Sequence, residues 1–302
     1  MTTPLFDTHA HIISADTVKY PIGPLNGRPQ AVPKNPFHAG LLLQGMDEAG
    51  VSHACAVQRA FVYGTDNSYV LDVAREHSER LTPVVVLRAD DASTPEALRT
   101  LAARQRLGGL RLASSHYDHL DTGWFNSPAA LQTWRTAADL HLPVAIIFPP
   151  SQLEYLLPAI AVVAAMFPML PIVIDHLGIN HRANLLVARE RALNIPDPYL
   201  GPPDFAISEP LRRLRLLPNV YFKLTSINFE RLEEDGVALS QFVRHCVAEF
   251  GAERLMWGSD IGQSEGAYTD LAAKARHATE LLSEQQREQL LFGTAARLYR
   301  PG

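Results

Sequence analysis

The chain has 302 residues, 47% of them hydrophobic and 20% charged, with a formal net charge of −5. That supplies a sizeable core for one large domain, and α/β barrels routinely take this length as a single unit, so residues 1–302 are expected to form one domain. A mildly acidic chain without a basic stripe gives no footing for nucleic acid, and Cys55 and Cys246 are too few for a disulfide framework and read as buried thiols of a reducing cytosol.

Read from the N-terminus, MTTPLFDTHAHI carries neither a basic segment nor an apolar export core, which fits a cytoplasmic protein. Short apolar runs then recur along the chain. The strands expected are LFDTH (5–9), HACAVQ (53–58), PVVVLR (83–88), GLRL (109–112), PVAIIF (143–148), PIVID (171–175), VYFKLT (220–225) and RLMWGSD (254–260). Their continuous apolarity suits a parallel sheet covered on both faces. Between them lie helical patterns such as 66–80, 95–105, 128–140 and 236–250, and Ser151 with Glu154 reads as a capping box. Strand then helix, eight times over, predicts an α/β fold of the (β/α)₈ TIM type. A doubly wound open sheet is the rival, weakened by the lack of a G-x-G-x-x-G after the first strand.

The uncharged stretch Leu156–Ile174 is long enough to suggest a membrane span. Pro158, Pro168 and Pro171 break it, however, and it reads as buried helix, turn and strand, with no membrane partner. Two connections are long: the Pro-rich one after strand one, and roughly Ile179 to Phe205 after strand six. Both should emerge at the C-terminal face, where they would wall a pocket.

His9 and His11 stand two apart at the end of the first strand, so both imidazoles can face one way. Such a pair suits a divalent metal or a polarised carbonyl, or simply two hydrogen-bonded histidines. Position sharpens the choice. His176 follows strand six and Asp260 closes strand eight, so four titratable groups fall at strand ends that a closed barrel brings together. Burying them there costs several kcal/mol unless they are paired or coordinated, roughly as for any buried ionisable group.

Arg111 in strand four and Lys223 in strand seven could clamp an anionic group on a substrate, or point outward between helices. Tyr63 and Gln263 are candidate hydrogen-bond donors to a small-molecule substrate, or ordinary loop residues. Arg88 and Arg59 read as solvated, as do the loop histidines His116, His119 and His181.

The segments FDTHAHI, VIDHLG, MWGSD and FGTAARLY resemble, in order and spacing, the signature segments of the amidohydrolase superfamily. The branch they are similar to contains 2-pyrone-4,6-dicarboxylate lactonase and sugar-acid lactonases, and GTDNSYVLDVAREH resembles that branch as well. The resemblance implies Asp260 as the general base toward water, with His9, His11 and His176 holding a metal or polarising the carbonyl. It implies a lactonase opening a small anionic cyclic ester: a pyrone, a muconolactone or a sugar-acid lactone. A metal-dependent decarboxylase or an amide hydrolase on the same barrel is the alternative.

Binuclear members use a carboxylated lysine or glutamate on strand four and a histidine on strand five. This chain has Arg111 and Ile147–Phe148–Pro149 there, which argues against a binuclear centre. The expectation is no obligatory metal, or one Zn²⁺ or Mn²⁺ on His9, His11 and Asp260, with His176 as a further candidate ligand. The sequence leaves the oligomeric state open.

Overall fold

The computed structural model describes residues 3–25, 36–113, 122–148, 152–178, 201–205 and 207–299. Eight strands follow one another: β1 (Leu5–Ala10), β2 (Val51–Val57), β3 (Leu81–Leu87), β4 (Gly109–Ala113), β5 (Val144–Ile147), β6 (Ile172–Ile174), β7 (Val220–Thr225) and β8 (Leu255–Gly258). They form one sheet in sequence order, each paired parallel with the next. Helices lie between them, so the fold is the (β/α)₈ barrel.

Both faces of the strands are buried, which is why they read as apolar runs. One face packs on the helices, where Leu110, Leu112, Ile146, Phe222 and Trp257 join Trp134 and Phe242. The other face fills the barrel. Phe6, Cys55, Val57, Val84, Ala145, Val173 and Met256 form one interior cluster, closed by Tyr299 from the last helix. Val86, Ala113 and Ile147 form another beside Ala60. Two-residue alternation then gives Arg111 the interior face shared with Ala113, and Asp175 the face shared with Val173.

The expected helices are found as Ser68–Glu76, Thr94–Arg104, Pro128–Asp139 and Leu239–Phe250. Pro128 at the first turn and the Ser127 hydroxyl, which accepts from the Ala130 amide, start the third of these. Leu156–Ile174 does run through a helix (Leu153–Met166), a turn and β6. No helix among the described residues is long and apolar enough to cross a membrane. Gln152 holds the N-cap position of the helix, and Ser151 of the expected capping box lies outside the described residues. So do 26–35 and 179–200, which make up much of the two long connections.

β6 and β8 end short of the expected strands, and each gives way to a turn. After Ile174 the chain turns through Asp175–Gly178, with His176 and Leu177 at φ 53° and 54°. After Gly258 it turns again, with Asp260 at φ 51°. Left-handed backbone is costly for such residues, and both turns carry candidate site groups.

The seam between β1 and β8 closes through the same residues. The Asp260 amide donates to the His9 carbonyl at 2.7 Å, and the His11 amide donates to the Ile261 carbonyl at 3.0 Å. Behind the seam, the Asp7 carboxyl accepts from the Ser259 amide at 2.8 Å and the Tyr268 hydroxyl at 2.9 Å. Gly258 lets the strands meet, since a Cβ there would stand 2.6 Å from the His9 Cβ. Gly258→Ala should therefore cost about 1–3 kcal/mol, as overpacking does. A denaturant midpoint and turnover both at wild-type values would show that the seam yields without harm.

Candidate active site

Three imidazoles and one carboxylate meet at the mouth of the barrel. His9 Nε2 and His11 Nε2 each lie 3.5 Å from Asp260 Oδ1. The His9 ring centroid is 4.8 Å from that of His11 and 4.9 Å from that of His176. All four residues are buried. Burial removes water from these groups and pushes all three histidines down, His9 to about 3, so they are neutral imidazoles at neutral pH. Burial pushes Asp260 the other way, up to about 8, against the opposing pull of Arg111 and Arg59.

The hydrogen bonds fix which nitrogen carries the proton on two of the rings. His11 Nδ1 lies 2.8 Å from the Val57 carbonyl oxygen, which can only accept, so Nδ1 is the donor. His176 Nδ1 lies 2.7 Å from the Thr225 hydroxyl, which donates onward to Asn228 Oδ1 at 3.2 Å. The hydroxyl thus accepts from His176, and Nδ1 is again the donor. Nε2 of both rings is left as a bare lone pair. Neither Asp260 carboxyl oxygen has a hydrogen-bond partner among the described residues. Lone pairs gathered around an unpartnered carboxylate form a donor set suited to a cation.

The atoms that could share one ion, within 4.8 Å of one another, belong to His9, His176 and Asp260. His11, expected ahead of His176 as a ligand, is not in that group. No other such group occurs among the described residues. Where a second metal would need a ligand on strand four stands Arg111, and β5 runs into buried Phe148.

Beneath His9 lies an ion cluster. Asp175 Oδ2 accepts from Arg111 Nε at 2.8 Å, and Oδ1 stands 3.1 Å from Lys223 Nζ and 3.6 Å from His9 Nδ1. The two cations and His9 hold the Asp175 carboxyl well below the usual carboxylate range despite its burial. Lys223 Nζ also lies 5.7 Å from the Tyr299 ring centroid. Arg111 and Lys223 thus point into the barrel and not between the helices. Arg111 reaches the imidazole cluster, with an NH2 nitrogen 3.4 Å from His9 Nε2. Lys223 is wholly buried and committed to Asp175.

The remaining candidates fall at the margin. The Gln263 amide donates to the Asp260 carbonyl at 3.0 Å, and its side-chain oxygen accepts from Arg59. The Tyr63 hydroxyl accepts from the Ser14 amide at 2.8 Å, so it braces the connection after β1. Arg88 is partly exposed beside Asp90. His116, His119 and His181 lie outside the described residues.

Two site residues escaped the sequence reading. Asp175 was absorbed into the end of a strand, although its spacing from Val173 marks an interior position. Arg59, read as solvated, is buried and donates to the Gly262 carbonyl as well as to Gln263.

The amidohydrolase family model matches residues 6–300. The chain belongs to the amidohydrolase family. Among curated relatives, an L-fucono-1,5-lactonase of Burkholderia ambifaria is 28% identical over 261 residues, covering 83% of this amidohydrolase and 81% of that protein. A 4-sulfomuconolactone hydrolase of Rhizobium radiobacter is 29% identical over 261 residues, covering 84% and 74%. Among solved structures, a probable 2-pyrone-4,6-dicarboxylic acid hydrolase of Acinetobacter baumannii, with citric acid bound, superposes with TM-score 0.70. It is 19% identical and covers 98% of each chain, a likeness of fold.

Proposed function

We propose that this amidohydrolase is a lactonase that opens a small anionic cyclic ester by attack of water. The observation that carries this reading is the Asp260 carboxylate, buried among three neutral imidazoles with both oxygens unpartnered. A base with open lone pairs in a dry site is what activation of water requires. The two curated relatives, named as lactone-opening enzymes, support the same reading.

In the proposed reaction, Asp260 takes a proton from water as its oxygen adds to the lactone carbonyl carbon. Arg111 and the imidazoles face the oxyanion that forms. The acyl–oxygen bond then breaks, the ring oxygen leaves with the proton held on Asp260, and a hydroxy acid results. His9, His176 and Asp260 would hold a single divalent ion, Zn²⁺ or Mn²⁺, which supplies Lewis acidity at the carbonyl oxygen.

Charge selects the substrate. Three buried cations, Arg59, Arg111 and Lys223, stand against three buried carboxylates, Asp7, Asp175 and Asp260, of which Asp7 is taken up by Ser259 and Tyr268 behind the seam. Half-buried Glu230 is the next carboxylate to act on Asp260. An anionic substituent on the lactone would take Arg111 as its closest partner, with Arg59 beside it and Gln263 and Tyr63 lining the margin.

The test is a panel of neutral, carboxylated and sulfonated lactones and sugar-acid lactones, assayed by acid release, with metal content measured before and after chelation. Turnover of an anionic lactone is expected, with about one equivalent of metal and activity lowered on chelation. A protein that opens no lactone but releases CO₂ from hydroxybenzoates would be a decarboxylase, and the reading would fall.

A further inference from the structure

The mouth of the barrel is divided in its chemistry. His9, His176, Thr225 and Asp260 place polar groups at the ends of β1, β6, β7 and β8. On the other side, the last interior positions of β3, β4 and β5 are Val86, Ala113 and Ile147. Ala113 pairs in register with Ile147, and Val86 with Arg111, so all share the interior face. Ala60 joins them from beyond β2. Leu25 packs on the group, and its amide donates to the Ala60 carbonyl at 2.9 Å. Arg88, just past β3, pairs with Asp90 at 3.5 Å.

The proposed reaction makes no use of this wall. Water, the carbonyl oxygen and the anionic group are all served from the polar side, by Asp260, the imidazoles and Arg111. Above Arg111, the interior face of β3, β4 and β5 offers no side-chain donor or acceptor among the described residues. A ring hydroxyl turned toward it would leave water and gain no partner. The face of a flat, unsaturated ring has no such bond to lose, and it gains by leaving water. Arg111 orients the ligand. It stands one interior position below Ala113, with an NH2 nitrogen 3.4 Å from His9 Nε2. A carboxylate held there sets the attached ring between the wall and Asp260.

We propose that Val86, Ala113 and Ile147 form the specificity-determining wall of this site, and that its substrate is a flat, unsaturated lactone with an anionic substituent. Polyhydroxylated sugar-acid lactones are then poor substrates. The inference rests on the lactonase reading and narrows it to one substrate class, and part of its test needs no turnover.

Muconolactone and glucaro-1,4-lactone match in ring size and carry a carboxylate, but only the second brings ring hydroxyls. A kcat/KM about 10²-fold higher for muconolactone is expected, the usual discrimination of an apolar site against an added hydroxyl. A ratio below about 10 overturns the proposal. Ala113→Ser gives the wall a hydroxyl and should narrow the ratio about 10-fold, the worth of one hydrogen bond. Ile147→Thr serves the same purpose where Ala113→Ser does not fold. A folded variant that keeps the wild-type ratio also overturns it. Calorimetry on chelator-treated protein adds a readout free of chemistry. Benzene-1,3-dicarboxylate should bind at least about 10-fold more tightly than glucarate, with the negative heat-capacity change of apolar burial. No preference, or the reverse, overturns the wall. The expected preference in binding, with no lactone opened, would strike the lactonase reading and leave the wall standing.

Discussion

Asp260→Asn should abolish lactone opening by about 10²- to 10⁴-fold, the usual worth of a positioned base, while leaving the barrel folded and more stable. Asn keeps the shape and the backbone bonds to His9, but it cannot accept a proton. Stability follows from the direction of the pKa. Asp260 is raised to about 8 from its ordinary 3.8, so between about pH 4 and pH 8 the folded chain holds a proton that the unfolded chain has released. Stability therefore falls as pH rises through that window. Asn escapes the loss, so with chelator present its melting temperature should exceed that of wild type, by a margin that widens toward pH 8. The same raised value sets the pH profile: kcat/KM in the metal-free protein should climb as pH rises toward about 8, where the carboxylate forms. The neutral histidines act in the opposite sense. With His9 at about 3 against 6.5 unfolded, folding is weakened as pH drops below about 6.5. A variant with wild-type turnover, or one that melts lower across the whole range, would sink the assignment.

Arg111→Met should be strongly destabilising, because it strips one of two cations from buried Asp175 and leaves Lys223 as its remaining ion-pair partner. Removing one partner of a buried ion pair costs about 3–5 kcal/mol, read as a shift in denaturant midpoint at constant slope. If Arg111 also meets the substrate, the surviving activity should fall unevenly. Lactones carrying a carboxylate or sulfonate should lose about 10- to 100-fold more than neutral ones, the worth of a hydrogen bond to a charged group. An equal loss on both would confine Arg111 to holding Asp175.

The fold was legible because each strand is buried on both faces and so reads as an unbroken apolar run. The same property hid which way Arg111 and Lys223 point. Where both faces are apolar, no polar alternation marks the interior, and only the closed sheet shows that Arg111 shares a side with Ala113. His9, His11, His176 and Asp260 could be picked out because polar groups at the ends of such runs are costly. Asp175 stood inside what looked like a strand, and the turn that frees it depends on left-handed backbone at His176 and Leu177. Arg59 was out of reach for a different reason: its carbonyl partner, Gly262, is 203 residues away.

That separation extends to the seam itself. Ser259 bonds the His9 carbonyl across 250 residues, and the Asp260 amide does the same beside it. Contacts of such long range carry a heavy loop-closure cost and tend to form late. During refolding, helical signal and most of the sheet can therefore return while β1 and β8 are still apart, in a chain that is compact but inert. Catalytic competence is expected to lag behind circular dichroism, as the final event of barrel assembly.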